Sequence, residues 1–435
     1  MNKSHMDIFC KISFYLVMIG LALLPFDAVP ILPSVYRPIS ILFFFVALII
    51  LLPNIILNLK FDKSLILVLI LYIYSISTSV IFSKFKYNNF IGTKDFIITF
   101  TLGILTFIPC NYIFKLIRKN SSSNEAYLNF TFEKIFNGYS VAFFIGILQV
   151  FYMIHIMPGD IIQMIGNIVS GSTRIDRVKM VSFEPSWGSM QLIFIIPILM
   201  YLKDIDKKYY KFLIVALILF LFTFSMQGFV TLAASWGIYL FFYSRNKLLY
   251  FFKLITFGII LIVLYSILYI FGSYIFSGAY FMQYFQFYKY NSLYNFLLHN
   301  GSAYIRIILP VVGVLIFLQN PFLGIGGGNY RIEFNSYLLR YFPEGINNKE
   351  LFAYMIDLNT NPRNLYIRIL CEMGIVGFIL FVMFIKNVIH KLTKPIKNKN
   401  IVIFWIISVL TLFVQFDSIA YVNLWVCLAI INNLR

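Results

Sequence analysis

Apolar runs long enough to cross a bilayer recur along this chain, separated by short connections that carry most of its lysine. That pattern leaves few folds open. A run of about 20 residues matches the hydrocarbon thickness as a helix. A chain in lipid must also satisfy its own backbone hydrogen bonds, which leaves helices or a closed barrel. A barrel would show alternating segments of roughly ten residues, and they are absent. The fold class that follows is all-α, a polytopic integral membrane protein. Composition agrees: 60% of the 435 residues are hydrophobic and 12% are charged, where a soluble domain carries about 25% charged residues. The net charge of +18 does not argue for nucleic acid, because the lysines sit between the spans, as the orientation of a membrane chain requires. Cys10, Cys110, Cys371 and Cys427 lie in or beside apolar runs and form no CxxC pair. That argues against a disulfide framework or a zinc site.

In chain order, spans are expected at residues 12–24, 39–57, 65–82, 96–114, 138–156 and 190–202. Basic flanks, KDIDKKYYK and YSRNK, stand on both sides of residues 212–243. This segment is therefore expected to cross twice, turning near Ser225–Gly228. Further spans follow at 254–271, 365–385, 401–416 and 420–432, the last two joined around FDS. MNKSHMDIFCK leads into the first run with no small-residue cleavage site after it, so that run reads as a retained span. The count is roughly twelve, with both termini and the basic connections in the cytoplasm. Lys84, Lys86 and Lys94 oppose that rule in a connection expected outside. Residues 303–320 are apolar enough to span, but counting them would carry the basic stretch KNVIHKLTKPIKNKN across the membrane. They are expected to form a re-entrant or interfacial helix, broken at Pro310. Three regions result: 1–302 with nine spans and an external loop at 157–189, 303–364 as a long external loop, and 365–435 with three spans.

One stretch departs from the apolar pattern. From Asn320 to Phe384 a polar excursion opens with NPFLGIGGGNYR, gathers Arg331, Arg340, Arg363 and Arg368, and closes with NPRNLYIRILCEMGIVGFILF. Gly324, Gly326, Gly327 and Gly328 would let backbone approach something bulky. No Lys-Ser/Thr follows them, so they do not read as a nucleotide loop.

The closing motif, with Asn364, Leu365, Glu372, Gly374 and Gly377, resembles the signature of the bacterial O-antigen polymerase and O-antigen ligase family. The opening motif, with Asn320, Pro321, Gly324, Gly326, Gly328 and the adjoining Tyr330, is similar to that family's Asn-Pro–Gly-x-Gly element. A third stretch, RVKMVSFEPSWG, spaces Arg177 and Gly188 by ten residues with Glu184 between them. It looks like a spacing found in the polymerases. Ligases carry a histidine before the asparagine matched by Asn364, and this chain has Arg363 there. The departure favours polymerase. His299, in LLHNGS, precedes the glycine element and reads as a loop histidine.

The resemblance implies glycosyl transfer on the outer face of the bacterial inner membrane. The donor would be a growing glycan on undecaprenyl diphosphate, and the acceptor a sugar hydroxyl of the next lipid-linked repeat unit. Membrane lipids, a chain-length regulator and a flippase are the partners implied, and no nucleic acid. A departing diphosphate gathers charge, which guanidinium groups bind bidentately. Donors placed where charge develops supply the largest catalytic term. The candidate catalytic residues are Arg363, Arg177 and Glu184. Substrate contacts are expected from Arg174, Arg306, Arg331, Arg340, Arg368, Asn364, Gly326, Gly328 and Tyr330. Each arginine also has a plain reading, as a lipid head-group contact or a snorkelling side chain. Arg368 and Glu372 stand four residues apart and can pair on one helix face, as a structural pair or a catalytic one. Glu184 and Asp357 are the external carboxylates best placed for general-base work. No metal-ligand spacing occurs in the external loops, so no metal and no cofactor is expected. The reading from another class is a lipid-oligosaccharide transporter. Transporters show internal repeats and broken helices at the midplane, and no two-fold repeat is visible in the apolar pattern.

Overall fold

The structure, a computed structural model, describes residues 8–30, 36–57, 62–82, 90–173, 176–243, 255–256, 292, 301–357 and 360–434. The chain is an all-α polytopic membrane protein. Helices α1 (Ile8–Ala22), α2 (Ser40–Leu57), α3 (Lys63–Ile81), α4 (Phe90–Lys119) and α5 (Asn124–Met153) follow the first five apolar runs. Next come a short helix α6 (Gly159–Ser170), then α7 (Pro185–Leu202), α8 (Lys208–Phe222) and α9 (Met226–Tyr243). The turn expected near Ser225 separates α8 from α9. Farther along stand α10 (Gly301–Gln319), α11 (Tyr330–Tyr341), α12 (Lys349–Ile356), α13 (Leu365–Ile389), α14 (Lys399–Leu412) and α15 (Val422–Asn432). Among the described residues seven helices are long and apolar enough to cross a membrane, and four shorter ones are apolar. The span expected at 254–271 lies outside the described residues, as do Arg174, Lys84, Lys86 and His299.

Local sequence explains the helix starts. Ser123 accepts from the Ala126 N–H (3.1 Å), Asn348 from Leu351 (3.0 Å) and Asn364 from Ile367 (3.0 Å). Each satisfies an orphan donor of a first turn. Pro185 opens α7, where its missing N–H costs nothing. Pro310, expected to break its segment, instead lies inside the continuous helix α10. Neighbouring helices make an internal proline tolerable in a membrane bundle. Gly313 presents α10 closely to Ile367 of α13.

The core gathers around α7 and α15. Every residue of α15 is buried, as is each from Gly188 to Leu199 in α7. Phe100, Phe107 and Phe384 surround Trp425, whose indole N–H donates to the Ile419 carbonyl (2.6 Å). Leu42, Phe45, Ile49 and Ile73 stay exposed on outer helices, the surface that lipid would cover. A second cluster, with Tyr304, Leu309, Val312, Phe334, Leu338 and Leu351, unites α10, α11 and α12.

The connections sort onto opposite ends of the bundle. At one end Asn432 donates to Asp62 (2.8 Å) and Asn111 (2.9 Å), Asn398 to Asp204 (2.8 Å), and the Lys397 N–H to Glu125 (2.9 Å). These are the lysine-bearing connections for which the sequence leads one to expect a common side of the membrane. Among the described residues, Ser182 meets Asp27 (3.2 Å), Gln227 the Gln415 carbonyl (3.0 Å) and Asn364 the Val414 carbonyl (2.9 Å) at the opposite helix ends.

Candidate functional site

Helix α13 is kinked. At Gly374 the backbone turns to φ 65°, ψ −170°, a region open essentially to glycine. A kink frees backbone groups, and the segment 320–329 supplies their partners. The Ile325 N–H donates to the Cys371 carbonyl (3.0 Å), Gly326 to Glu372 (2.9 Å), and Ile375 to Pro321 (2.8 Å). The Gly328 N–H donates to Glu372 Oε1 (3.0 Å), while Oε2 receives Arg368 Nε (3.0 Å). Arg368 Nη1 donates to the Asp417 carbonyl (3.2 Å), and its guanidinium lies over the Phe96 ring (5.3 Å). Both charges of the Arg368–Glu372 pair are therefore engaged inside the protein. Gly324, Gly326 and Gly328 all have positive φ. A Cβ on Gly328 would strike Gly92, and one on Gly324 the Glu372–Gly374 backbone. The close approach these glycines allow is made by the chain itself. Tyr330 is fully buried and donates to the Leu309 carbonyl (2.6 Å).

The spacing of Arg177 and Gly188 has a similar physical reason. A Cβ on Gly188 would meet the Lys179 carbonyl at 2.8 Å, so the segment folds back onto the first turn of α7. The Val178 N–H donates to the Phe222 carbonyl (3.0 Å). Arg177 Nε stands 3.7 Å from Asp176 Oδ2. Glu184 caps α7 from an exposed position and accepts from Ser186 Oγ (3.2 Å).

The connection between α14 and α15, which reads in sequence as a mere turn, is the hub of this end. Asn364 donates to the Val414 carbonyl (2.9 Å), and the Leu365 N–H to Phe413 (2.9 Å). Gln227 donates to the Gln415 carbonyl (3.0 Å) and receives Arg306 Nη1 (2.5 Å). Tyr36 accepts from the Val422 N–H (3.1 Å) and packs edge-on against Trp187. Five separate stretches of sequence are thereby fixed against one another.

Glu350 stands in the first turn of α12, one turn before Tyr354, and Gly301 at the start of α10 lies beside its Oε2. Arg363, at φ 50°, donates to Tyr354 Oη (2.7 Å). Arg363 and Arg306 both lie within electrostatic reach of Glu350, and so does Glu184. Burial pushes the Glu350 carboxyl above its ordinary range, Arg363 and Arg306 pull it back, and Glu184 raises it further. The other predicted arginines lie apart: Arg331 pairs with Asp95 (3.2 Å), and Arg340 is exposed over Tyr341. Asp357 is exposed at the end of α12. Sequence reasoning missed Glu350, Gln227, Asp417 and Asp27. An acid inside the apolar stretch 401–432 was a usable signal for Asp417. Nothing in the sequence singled out Glu350.

Asp27, between two prolines, is buried against α7. Its Oδ2 accepts from Gln191 Nε2 (2.8 Å) and Ser182 Oγ (3.2 Å), while Oδ1 has no hydrogen-bond partner among the described residues. Burial pushes its pKa up to about 7, with the two donors pulling the other way. Tyr36, Tyr139 and Tyr421 face it. A carboxyl whose folded pKa exceeds its unfolded value costs stability as pH rises between the two. Asp27→Asn should accordingly gain thermal stability relative to the parent as pH rises from about 4 to about 7, by a few degrees in detergent. Parallel melting curves across that range would refute the buried, poorly compensated carboxylate.

Residues 211–382 match the family model described as O-antigen ligase. The match spans the turn between α8 and α9, Arg306, the glycine element, Asn364 and the kink of α13. A search of curated proteins gave no match. Over that stretch the chain is O-antigen polymerase/ligase-like, as its motifs implied, and the match supports an O-antigen ligase- or polymerase-type function in equal measure.

Proposed function

We propose that the protein is a polysaccharide polymerase of the O-antigen or capsule type. It transfers a growing glycan from undecaprenyl diphosphate to a sugar hydroxyl of a lipid-linked repeat unit, on the outer face of the inner membrane, without a metal. The observation that carries this reading is the placement of two guanidinium groups around one short helix: Arg363 donates to Tyr354 Oη, one turn after Glu350 on α12, and Arg306 stands on α10, whose first residue lies beside Glu350 Oε2. Guanidinium groups suit a departing diphosphate, because they stay charged and match its oxygens. Carboxylates beside them suit an attacking hydroxyl. Arg177, in its own external segment, is assigned to the same diphosphate or to the glycan, together with Arg174. Arg368, Asn364, Gly326, Gly328 and Tyr330 shape the wall behind it. Arg331 and Arg340 would meet the glycan farther out. Arg363, standing where ligases have histidine, favours chain extension over transfer to a finished acceptor. A chain-length regulator and a flippase are the partners this role requires.

The transporter reading expects a broken helix whose freed backbone groups face a cavity. The kink at Gly374 has its freed groups taken by residues 321–326, which supports an enzyme instead.

Replacing Arg363 or Arg177 by alanine should lower transfer by about 10²–10³-fold, the effect of losing one donor to developing charge. In cells the glycan ladder should collapse to single repeat units. Full ladders in both mutants would overturn the assignment of these residues. A deletion strain decides the reaction: single repeats on the lipid acceptor mean polymerase, whereas free lipid-linked polymer means ligase. Lipid-linked repeats held on the cytoplasmic face mean transport.

A further inference from the structure

We propose that Glu350 is the catalytic residue that accepts the proton of the attacking sugar hydroxyl, an inference that rests on the transfer reaction proposed above. A neutral hydroxyl is a weak nucleophile, and its proton must leave as the new bond forms. The group that takes it has to stand beside the donors that hold the leaving diphosphate. Glu350 meets that condition: Arg363 donates to Tyr354 Oη (2.7 Å), one turn along the same helix face, and Arg306 stands on α10, whose first residue, Gly301, lies against Glu350 Oε2.

Its placement is rigid. Asn348 caps the helix that Glu350 begins, through the Leu351 N–H at 3.0 Å. The side chain packs at the start of α10, where a Cβ on Gly301 would lie 2.8 Å from Glu350 Oε2. Its oxygens are also uncommitted. Among the described residues no side-chain hydrogen bond or ion pair engages the Glu350 carboxylate, whereas both oxygens of Glu372 are occupied. The guanidinium groups nearby are held by Tyr354 and Gln227, so they border the carboxylate without locking it. Glu184 is exposed and already accepts from Ser186. It is a positioning residue here, acting through its charge on Glu350.

The step balances. The sugar O–H bond breaks as its oxygen bonds to the anomeric carbon. The bond from that carbon to the diphosphate oxygen breaks, and the electron pair leaves with the diphosphate between Arg306 and Arg363. The proton rests on Glu350 and passes to water. Half-burial and the Glu184 charge raise the affinity of Glu350 for that proton, and Arg363 and Arg306 lower it. These groups, from the segments before α7 and α13 and from α10, set the pH at which the base becomes available.

The test uses the full-length protein in lipid nanodiscs. The probe is the lipid-linked repeat unit extracted from a deletion strain, with released undecaprenyl diphosphate as readout. Glu350→Gln should lose about 10²–10⁴-fold in turnover, with KM within a few-fold of the parent. Glu350→Asp should recover part of the rate. In Glu184→Gln the acid limb of the pH–rate profile should move to lower pH, because a like charge that favoured the protonated base is gone. That arm reads Glu350 even if Glu350→Gln fails to fold. Full turnover in Glu350→Gln, or an acid limb that Glu184→Gln leaves in place, overturns the assignment. If the parent protein releases no diphosphate from the probe, the transfer reading itself fails, which is a separate result.

Discussion

Glu372→Ala should lower the stability of the folded protein by about 3–5 kcal/mol, the usual cost of removing one partner from a buried ion pair. Glu372 is fully buried, and its partner Arg368 keeps 7% of its side chain exposed. Without the carboxylate, the guanidinium retains Asp417, but at 4.0 Å and through a carboxylate that is itself only part-buried. The Gly328 N–H loses its acceptor as well, and an unsatisfied buried donor adds about 1–3 kcal/mol. Losses of that size approach the whole margin of a typical fold. The expected readings are a sharply lower melting midpoint in detergent and a lower yield of monodisperse protein. The double replacement Arg368→Met with Glu372→Leu should be milder than Glu372→Ala alone, because it strands no charge. A Glu372→Ala protein that melts like the parent yet transfers no glycan would contradict this structural role and make the carboxylate part of the chemistry.

The apolar runs were enough to place the long apolar helices, because a bilayer imposes one length and one kind of backbone on every span, whereas α6, α11 and α12, in the stretches read as external loops, were not foreseen. α2, α3 and the start of α13 sit close to where hydropathy puts them. α4 and α5 reach 30 residues each, beyond the apolar run, since a helix continues into polar sequence when nothing terminates it. Pro310 misled for a related reason. A proline removes one hydrogen bond, but whether the helix survives depends on neighbours that a linear reading does not see. Positive φ at Gly324, Gly326 and Gly328 is what such a glycine run permits. What approaches those glycines was not legible, because the partner is a kink almost 50 residues downstream in a helix that looks uninterrupted. The candidate site was legible by residue type and not by grouping. Arg306 and Arg363 were both singled out, yet nothing in one dimension shows that they share Glu350 while Arg331 goes to Asp95. That sorting depends on the hub at residues 413–421, whose short sequence resembles any turn.

The same docking of segment onto kink makes Gly374 a position where one methyl group should do severe harm. Its φ of 65° with ψ of −170° belongs to the region only glycine enters freely, and a side chain there costs about 1–3 kcal/mol in backbone strain alone. The added Cβ would also fall on the Phe322 carbonyl and crowd the Leu323 N–H. Neither atom can move away cheaply. Pro321 and Gly326 are pinned by hydrogen bonds to the two sides of the kink, and Asn329, at the end of the segment, donates to the Phe82 carbonyl (2.9 Å). Straightening α13 would relieve the clash but would draw the Cys371 and Glu372 carbonyls back into the helix, releasing residues 325 and 326. Either outcome loosens the wall that carries Arg368 and Glu372. Gly374→Ala should therefore be destabilised by at least about 3 kcal/mol, from strain and overpacking together, and should lose glycan transfer with the folded protein. Gly159→Ala is the matched control. Its Cβ would stand 3.2 Å from the edge of the Tyr152 ring at the start of α6, where φ is not positive and a ring can shift. Its melting midpoint should stay within about 2 °C of the parent, as expected of a change of less than about 1 kcal/mol in a chain of this length. Equal stability of Gly374→Ala and Gly159→Ala would mean that the 320–329 segment does not sit in the bend of α13.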